Sequence, residues 1–311
     1  MKRTRLALPL ICALALAGCG AGSAASEGGK AATEPDTIAV TAAFYPLAYA
    51  VERVGGDRVT VSSLTKPGAE PHDVELTPKD VATLSRSAVV VYEKGFQPAV
   101  DEAVVQVEED VALDVSTVVD LSIEANHDGH DHGGGTGEGV DPHFWLDPTR
   151  YASAVTAIAE RLALADPGDA TAYAENADAF VAELTALDAE FSAGLASCTT
   201  RELVTGHAAF AYLADRYDLH QVGIAGVSPD AEPNAAAMNE IVEHVREKDV
   251  TTVYAETLVS KDLTDTIARE TGAVVAVLDP IEGLTDASAG KNYLEVMRSN
   301  LATLTKGQGC R

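Results

Sequence analysis

Residues 126–143 run Asn-His-Asp-Gly-His-Asp-His-Gly-Gly-Gly-Thr-Gly-Glu-Gly-Val-Asp-Pro-His and gather four of the chain's 8 histidines. Imidazole beside carboxylate is borderline transition-metal chemistry, and a tract this polar and glycine-rich has no means of burying itself. His127, His130 and His132 therefore read as a flexible auxiliary loop that captures an ion without fixing its geometry. A second, sparser set has the opposite character. His72 follows the run Arg58–Leu64, His143 lies in Asp141-Pro142-His143-Phe144-Trp145, His207 follows Leu203-Val204-Thr205, and Asp279 closes Val274–Leu278. Each occupies a place where a strand-like run gives way to a turn or helix. Ligands of open parallel sheets gather beyond the carboxyl ends of the strands. Two of these four positions come from each half of the chain, which is compatible with one shared cleft.

An isolated histidine is more often a hydrogen-bonded structural residue, and His220 and His244, on element edges without such surroundings, are assigned to that class. His143 stands out because two Asp-Pro pairs bracket it and Trp145 can pack a wall beside it. Asp279-Pro280 taken alone is also compatible with a plain turn.

The elements that must position these side chains alternate. Strands are expected at Thr37–Thr41, Arg58–Leu64, Ala88–Tyr92, Glu202–Thr205, Gln221–Ile224, Thr251–Tyr254 and Ala273–Leu278, with helices between them. Phe44–Val54 and Pro78–Ser87 read as helices, the second capped by Thr77 with Pro78 at its first position. Alternation of this kind predicts parallel sheets built from βα units. A long helix is expected from Asp166-Pro167 onward, because Tyr173, Ala177, Phe180, Leu184, Leu187, Phe191 and Leu195 keep one apolar stripe. At 1.5 Å per residue it runs roughly 40 Å, more than a crossover needs. The reading is α/β: two βα lobes with parallel sheets joined by one long rigid helix, with a metal site in the interlobe cleft. The expected boundaries are a signal over 1–18, a stalk over 19–36, a lobe over 37–165 carrying the histidine loop 126–139, the linking helix over 166–197 and a second lobe over 198–311.

Lys2, Arg3 and Arg5 precede an apolar stretch, Leu6 to Leu16, too short to span a bilayer as a mature helix. It ends in Leu16-Ala17-Gly18-Cys19, the pattern of a bacterial lipobox, which implies cleavage before Cys19 and lipidation of its thiol. A single lipidated terminus tethers a protein to a membrane surface. Loss of residues 1–18 removes three basic side chains and no acidic one, so the formal charge of −26 becomes still more negative. Such acidity argues against nucleic acid or anionic membrane as a ligand. Of the 4 cysteines, Cys12 leaves with the signal and Cys19 takes lipid. Outside the cytoplasm the remaining pair, Cys198 and Cys310, is expected to oxidise to a disulfide.

With these residues in view, the chain resembles the zinc-binding solute-binding lipoproteins of bacterial ABC importers, the ZnuA-like members of the cluster A-I metal receptors. The resemblance runs from the lipobox to Arg311. It rests on Pro71-His72 followed by Leu76, Pro78 and Asp80; on Asp141 to Pro148; on His207 followed by Ala209, Phe210, Tyr212, Arg216 and Tyr217; and on Asp279-Pro280 with Tyr293, Met297 and Asn300. It implies a metal set of His72, His143, His207 and Asp279, and the loop before His143 resembles the histidine-rich loop of zinc members. Some zinc members carry an acidic residue directly before the first histidine, where this chain has Pro71; Glu70 is not assigned a metal contact.

Three imidazoles and a carboxylate suit tetrahedral zinc. Manganese members resemble this chain with Glu in place of the third histidine, so His207 favours zinc as cargo; a manganese or other divalent receptor is the alternative. A zinc hydrolase is disfavoured because a fourth protein ligand is available and no H-E-x-x-H motif occurs. Glu256 is a candidate for a supporting role near the cleft. A metal-independent surface adhesin has no repeat or exposed apolar motif in its favour. The resemblance thus implies a non-enzymatic, monomeric receptor on the extracytoplasmic face of the membrane that delivers Zn2+ to an ABC permease.

Overall fold

Two four-stranded sheets, parallel throughout, form the frame of a computed structural model that describes residues 37–125, 139–230 and 233–311. The first combines β1 (Ile38–Ala42), β2 (Val59–Ser63), β3 (Val89–Tyr92) and β4 (Ala112–Asp114) in the order β2-β1-β3-β4. Its crossovers include α1 (Tyr45–Gly55), α2 (Pro78–Leu84) and α3 (Pro98–Val104). β3 reads Val-Val-Val-Tyr, and its valines are buried, as a central parallel strand covered on both faces requires. α2 starts as its sequence dictates. Thr77 Oγ1 accepts from the Asp80 backbone N–H, the Asp80 carboxylate accepts from the Thr77 N–H at 2.9 Å, and Pro78 occupies the first turn.

The chain then enters a helical hairpin. α4 (Pro148–Ala165) is capped by Asp147, whose Oδ1 accepts from Thr149 N at 2.8 Å. The expected long helix is present as α5 (Ala170–Gly194), starting later than read because Asp166 to Asp169 form the turn from α4. Its stripe of Tyr173, Phe180, Leu184, Leu187 and Phe191 is buried against α1 and α4 and, near its end, against the C-terminal helix.

The second sheet repeats the first. β5 (Glu202–Thr205), β6 (His220–Gly223), β7 (Thr252–Ala255) and β8 (Val274–Val277) adopt the order β6-β5-β7-β8, with α6 (Ala211–Arg216), α7 (Ala235–Glu247) and α8 (Asp262–Thr271) in the connections. α9 (Tyr293–Gly307) ends the fold. In both sheets the strand order reverses beside the first strand, leaving a crevice at the carboxyl edge.

One continuous apolar core runs from β1 through α5 to α9, so the two sheets share packing. A smaller core of Val204, Val222, Ile241, Val253 and Ile267 lies under α7 and α8. Paired arginine contacts pin α5 to elements of both halves: Arg53 of α1 to Glu183, Arg216 of α6 to Asp188, and Arg298 of α9 to Glu190. These pairs are partly exposed, so each contributes little stability on its own. The expected Cys198–Cys310 disulfide is formed and ties the end of α9 to the segment before β5. Among the described residues no helix is long and apolar enough to cross a membrane.

Candidate metal centre

The three junction histidines meet. His72 comes from the loop between β2 and α2, His143 from the turn that opens the helical hairpin, and His207 from the two residues beyond β5. His143 and His207 are fully buried and the His72 side chain is 9% exposed. The carboxylate that joins them is Glu282. Its Oε1 lies 3.3 Å from His72 Nε2, 3.1 Å from His143 Nε2 and 3.3 Å from His207 Nε2, and the His72 and His143 Nε2 atoms are themselves 3.3 Å apart. All four donors lie within 4.8 Å of one another.

Asp279, expected as the fourth ligand, is not in this group; Glu282 stands beside the three histidines in its place. The Asp279 side chain folds back into its own turn, Oδ1 accepting from the Ile281 N–H at 2.8 Å. Its backbone is clamped by Asn300: Asp279 N donates to Oδ1 at 3.0 Å and Nδ2 donates to the Asp279 carbonyl at 2.7 Å. Trp145 Nε1 donates to the Pro280 carbonyl at 2.8 Å. Ile281 then takes φ 60°, a left-handed conformation that is costly for a β-branched residue. Two side-chain anchors and full burial of Ile281 hold that conformation, and the reversal projects Glu282 toward the histidines.

Two further carboxylates fix the imidazoles from behind. Asp141 Oδ1 accepts from both the backbone N–H and Nδ1 of His143, each at 2.8 Å. Glu256 accepts from the His207 backbone N–H at 2.8 Å and, through Oε2, from Nδ1 at 2.5 Å. A carboxylate only accepts, so these contacts place the proton on Nδ1 and leave Nε2 as a lone-pair donor facing the centre. Gly206 permits the close approach, because a Cβ there would stand 2.7 Å from Glu256 Oε1. Glu256 thereby acquires an orienting role; its presence near the cleft was legible, its partner was not. Phe96 packs edge-on to His72 at 4.6 Å and Trp145 lies 5.3 Å from His143, the wall read from the sequence.

The electrostatics follow. Burial alone would lower the pKa of each imidazole. At His72 it does so. At His143 the Asp141 and Glu282 carboxylates outweigh burial and raise the value; at His207 Glu256 and Glu282 raise it strongly. Burial would raise Glu282, yet the three imidazoles hold it well below the ordinary carboxylate range. Glu70 does not belong to the four; it accepts from the His72 N–H, and burial next to Glu282 pushes its carboxyl up to about 7.

Tetrahedral zinc with Zn–N of about 2.0–2.1 Å requires donor–donor separations of ~3.3 Å. Four of the six separations, from Glu282 Oε1 to each Nε2 and from His72 Nε2 to His143 Nε2, are 3.1–3.3 Å and already match, and all six fall within 4.8 Å. Three neutral imidazoles and three carboxylates, one inside the set and two behind it, suit a small dication. Cys19 and the histidines at 127, 130 and 132 lie outside the described residues.

Paired parallel sheets that converge a buried imidazole–carboxylate set at their strand ends define an α/β protein of two sheets with a candidate cation site. The chain belongs to the family described as zinc-uptake complex component A, periplasmic (ZnuA), which matches residues 40–307. It is 35% identical over 312 residues to the zinc-binding lipoprotein AdcA of Streptococcus pneumoniae, covering 98% of this chain; it spans 60% of that relative's length. It is 33% identical over 303 residues to the high-affinity zinc uptake system protein ZnuA of Bacillus subtilis, covering 94% of this chain and 93% of the relative. Among solved structures, the laminin binding protein Lmb of Streptococcus agalactiae, described as a bifunctional adhesin and metal transporter, superposes with a TM-score of 0.77 at 29% identity over 88% of this chain and 99% of that one. The Zn(II)-bound ZnuA-like domain of S. pneumoniae AdcA superposes with a TM-score of 0.73 at 32% identity, with the same coverage of 88% and 99%.

Proposed function

We propose that this protein is an extracytoplasmic zinc receptor that captures Zn2+ on His72, His143, His207 and Glu282 and delivers it to an ABC permease. The observation that carries the reading is the four-donor set, whose spacing already suits tetrahedral zinc before any ion is bound. Family membership and zinc-named relatives support the cargo and the uptake role. A fourth protein donor occupies the position that a catalytic zinc keeps for water, which supports binding over hydrolysis.

Around this centre, residues 37–165 and 198–311 act as lobes on a linking helix, and Cys19 carries the lipid that holds a monomer at the membrane face. His127, His130 and His132 gather ions ahead of the tight site. α5, pinned to both halves through Glu183, Asp188 and Glu190, limits motion to small tilts and local loop movement, so loading and release proceed through the loops that carry His72 and Glu282.

The test is a competition titration of zinc against manganese on metal-stripped protein starting at residue 20, repeated with His207→Ala. One tight zinc site that excludes manganese and is weakened by the substitution is expected. Tight manganese with weak zinc would keep the fold and change the cargo; no tight site would end the receptor reading.

A further inference from the structure

A second histidine cluster lies at the other edge of the second sheet. Glu202 opens β5, His220 opens β6, and His244 sits in the last turns of α7. Glu202 and His220 are direct register partners across the parallel pair. Glu202 Oε2 lies 2.8 Å from His220 Nδ1 and 2.9 Å from His244 Nε2, and one donor atom from each of the three side chains falls within 4.8 Å of the others. β5 has four residues, so this cluster stands at the amino edge of the sheet, roughly 13 Å of strand from the carboxyl edge that bears His207.

We propose that Glu202, His220 and His244 form a second, weaker metal site for a borderline divalent ion of the zinc and copper class. Two imidazole nitrogens and a carboxylate oxygen supply three donors of the type such ions select, and water completes the shell. The backbone beneath the donors is held in place. Glu202 N donates to Thr200 Oγ1, its carbonyl accepts from Gln308 Nε2 at 3.0 Å, and His220 N donates to the Arg201 carbonyl at 2.7 Å. The disulfide from Cys198 to Cys310 anchors the same corner. The donors differ from those of the first centre in access. The side chains of His220, Glu202 and His244 are 51%, 16% and 12% exposed, so an ion can enter and leave without movement of the core. In the absence of an ion the two imidazoles share the Glu202 oxygen; an ion between them replaces two hydrogen bonds with three coordinate bonds after a shift of less than about 1 Å, given Zn–N and Zn–O of about 2.0–2.2 Å.

The experiment is a zinc titration of the mature chain followed by NMR of the histidine ring protons, in parallel with His220→Ala/His244→Ala. His207→Ala, which removes a donor of the first centre only, serves as a third sample. The expected result is a fast-exchange shift of the His220 and His244 signals after the tight site has filled. The double variant should bind one equivalent fewer, with its tight site unchanged, and His207→Ala should retain the weak event. An anomalous zinc peak between the three side chains in crystals soaked at sub-millimolar metal would place the ion. His220 and His244 signals that do not move at several equivalents of zinc, or a double variant with wild-type stoichiometry, would overturn the proposal and leave a hydrogen-bonded triad.

Discussion

Replacing Glu282 by Gln separates the two acidic residues of the Asp279–Glu282 turn. The Glu282 carboxylate approaches all three Nε2 atoms at 3.1–3.3 Å, whereas the Asp279 Oδ1 is engaged by the Ile281 N–H. Removing a carboxylate that merely orients a ligand costs 10–100-fold in metal affinity. Glu282 stands inside the donor set and supplies its only charge, so Glu282→Gln should lower zinc affinity by more than ~100-fold, about 2.8 kcal/mol at 1.4 kcal/mol per tenfold. Gln conserves volume and an oxygen, so the fold should survive, and burying a neutral amide relieves the metal-free protein of an ionised group. Asp279→Asn keeps an oxygen for the Ile281 N–H and should change affinity by less than roughly threefold. Zinc affinity is read by competition against a chromophoric chelator at fixed pH and salt, with circular dichroism as the control for folding. The reasoning fails if Glu282→Gln binds zinc like the wild type while Asp279→Asn loses it.

Further outcomes concern acid, the supporting carboxylates and the histidine loop. Zinc and protons compete for the same Nε2 atoms, and the raised pKa values of His143 and His207 mean that affinity should begin to fall above the ordinary histidine value of about 6.5 as pH drops, earlier than unperturbed imidazoles would give. Chelator competition from pH 8 to 5 checks this, and Glu256→Gln should weaken binding about 10–100-fold while moving the fall to lower pH. Glu93 is fully buried, its Oε2 has no hydrogen-bond partner among the described residues, and burial followed by Asp141 raises its carboxyl well above the usual range. A raised folded pKa gives stability that is present below the unfolded value and lost as pH rises, so thermal unfolding of metal-free Glu93→Gln should be less sensitive to alkaline pH than wild type. Glu124 and Val140 form an antiparallel bridge and Ala125 N donates to the Gly139 carbonyl, which brings the loop's ends together. Replacing 126–138 by two glycines should therefore leave the tight zinc affinity intact in the same assay.

His72, His143 and His207 were legible because each follows a strand or turn signal, and parallel sheets place such positions at one edge. The β-branched runs likewise marked most strands. β4 escaped because three residues, Ala-Leu-Asp, give no pattern to read. The start of α5 was misplaced since Asp166-Pro167 resembles a helix entry, while the turn to Asp169 is required by a preceding helix whose packing is tertiary. Glu282 was hidden for a similar reason. Asp279-Pro280 carried the visible motif, but the direction of the chain after it is set by Asn300, 21 residues away, and by Trp145, 135 residues away. No local preference would place an isoleucine at φ 60°. His220 and His244 read singly as structural; the register of β5 with β6 brings the first to Glu202, and the packing of α7 brings the second.

The donors of the tight centre have no local half. His72 and Glu282 are 210 positions apart in the chain, and the other two histidines are spread between them. Two ligands a few residues apart can seize metal once their own short segment has formed; here no short stretch holds two of the four. An unfolded chain therefore has no tight site, whatever the histidine-rich tract at 127–132 gathers. It acquires a tight site only when both sheets and α9 have closed on one another, so where this protein folds decides which pool of metal it samples.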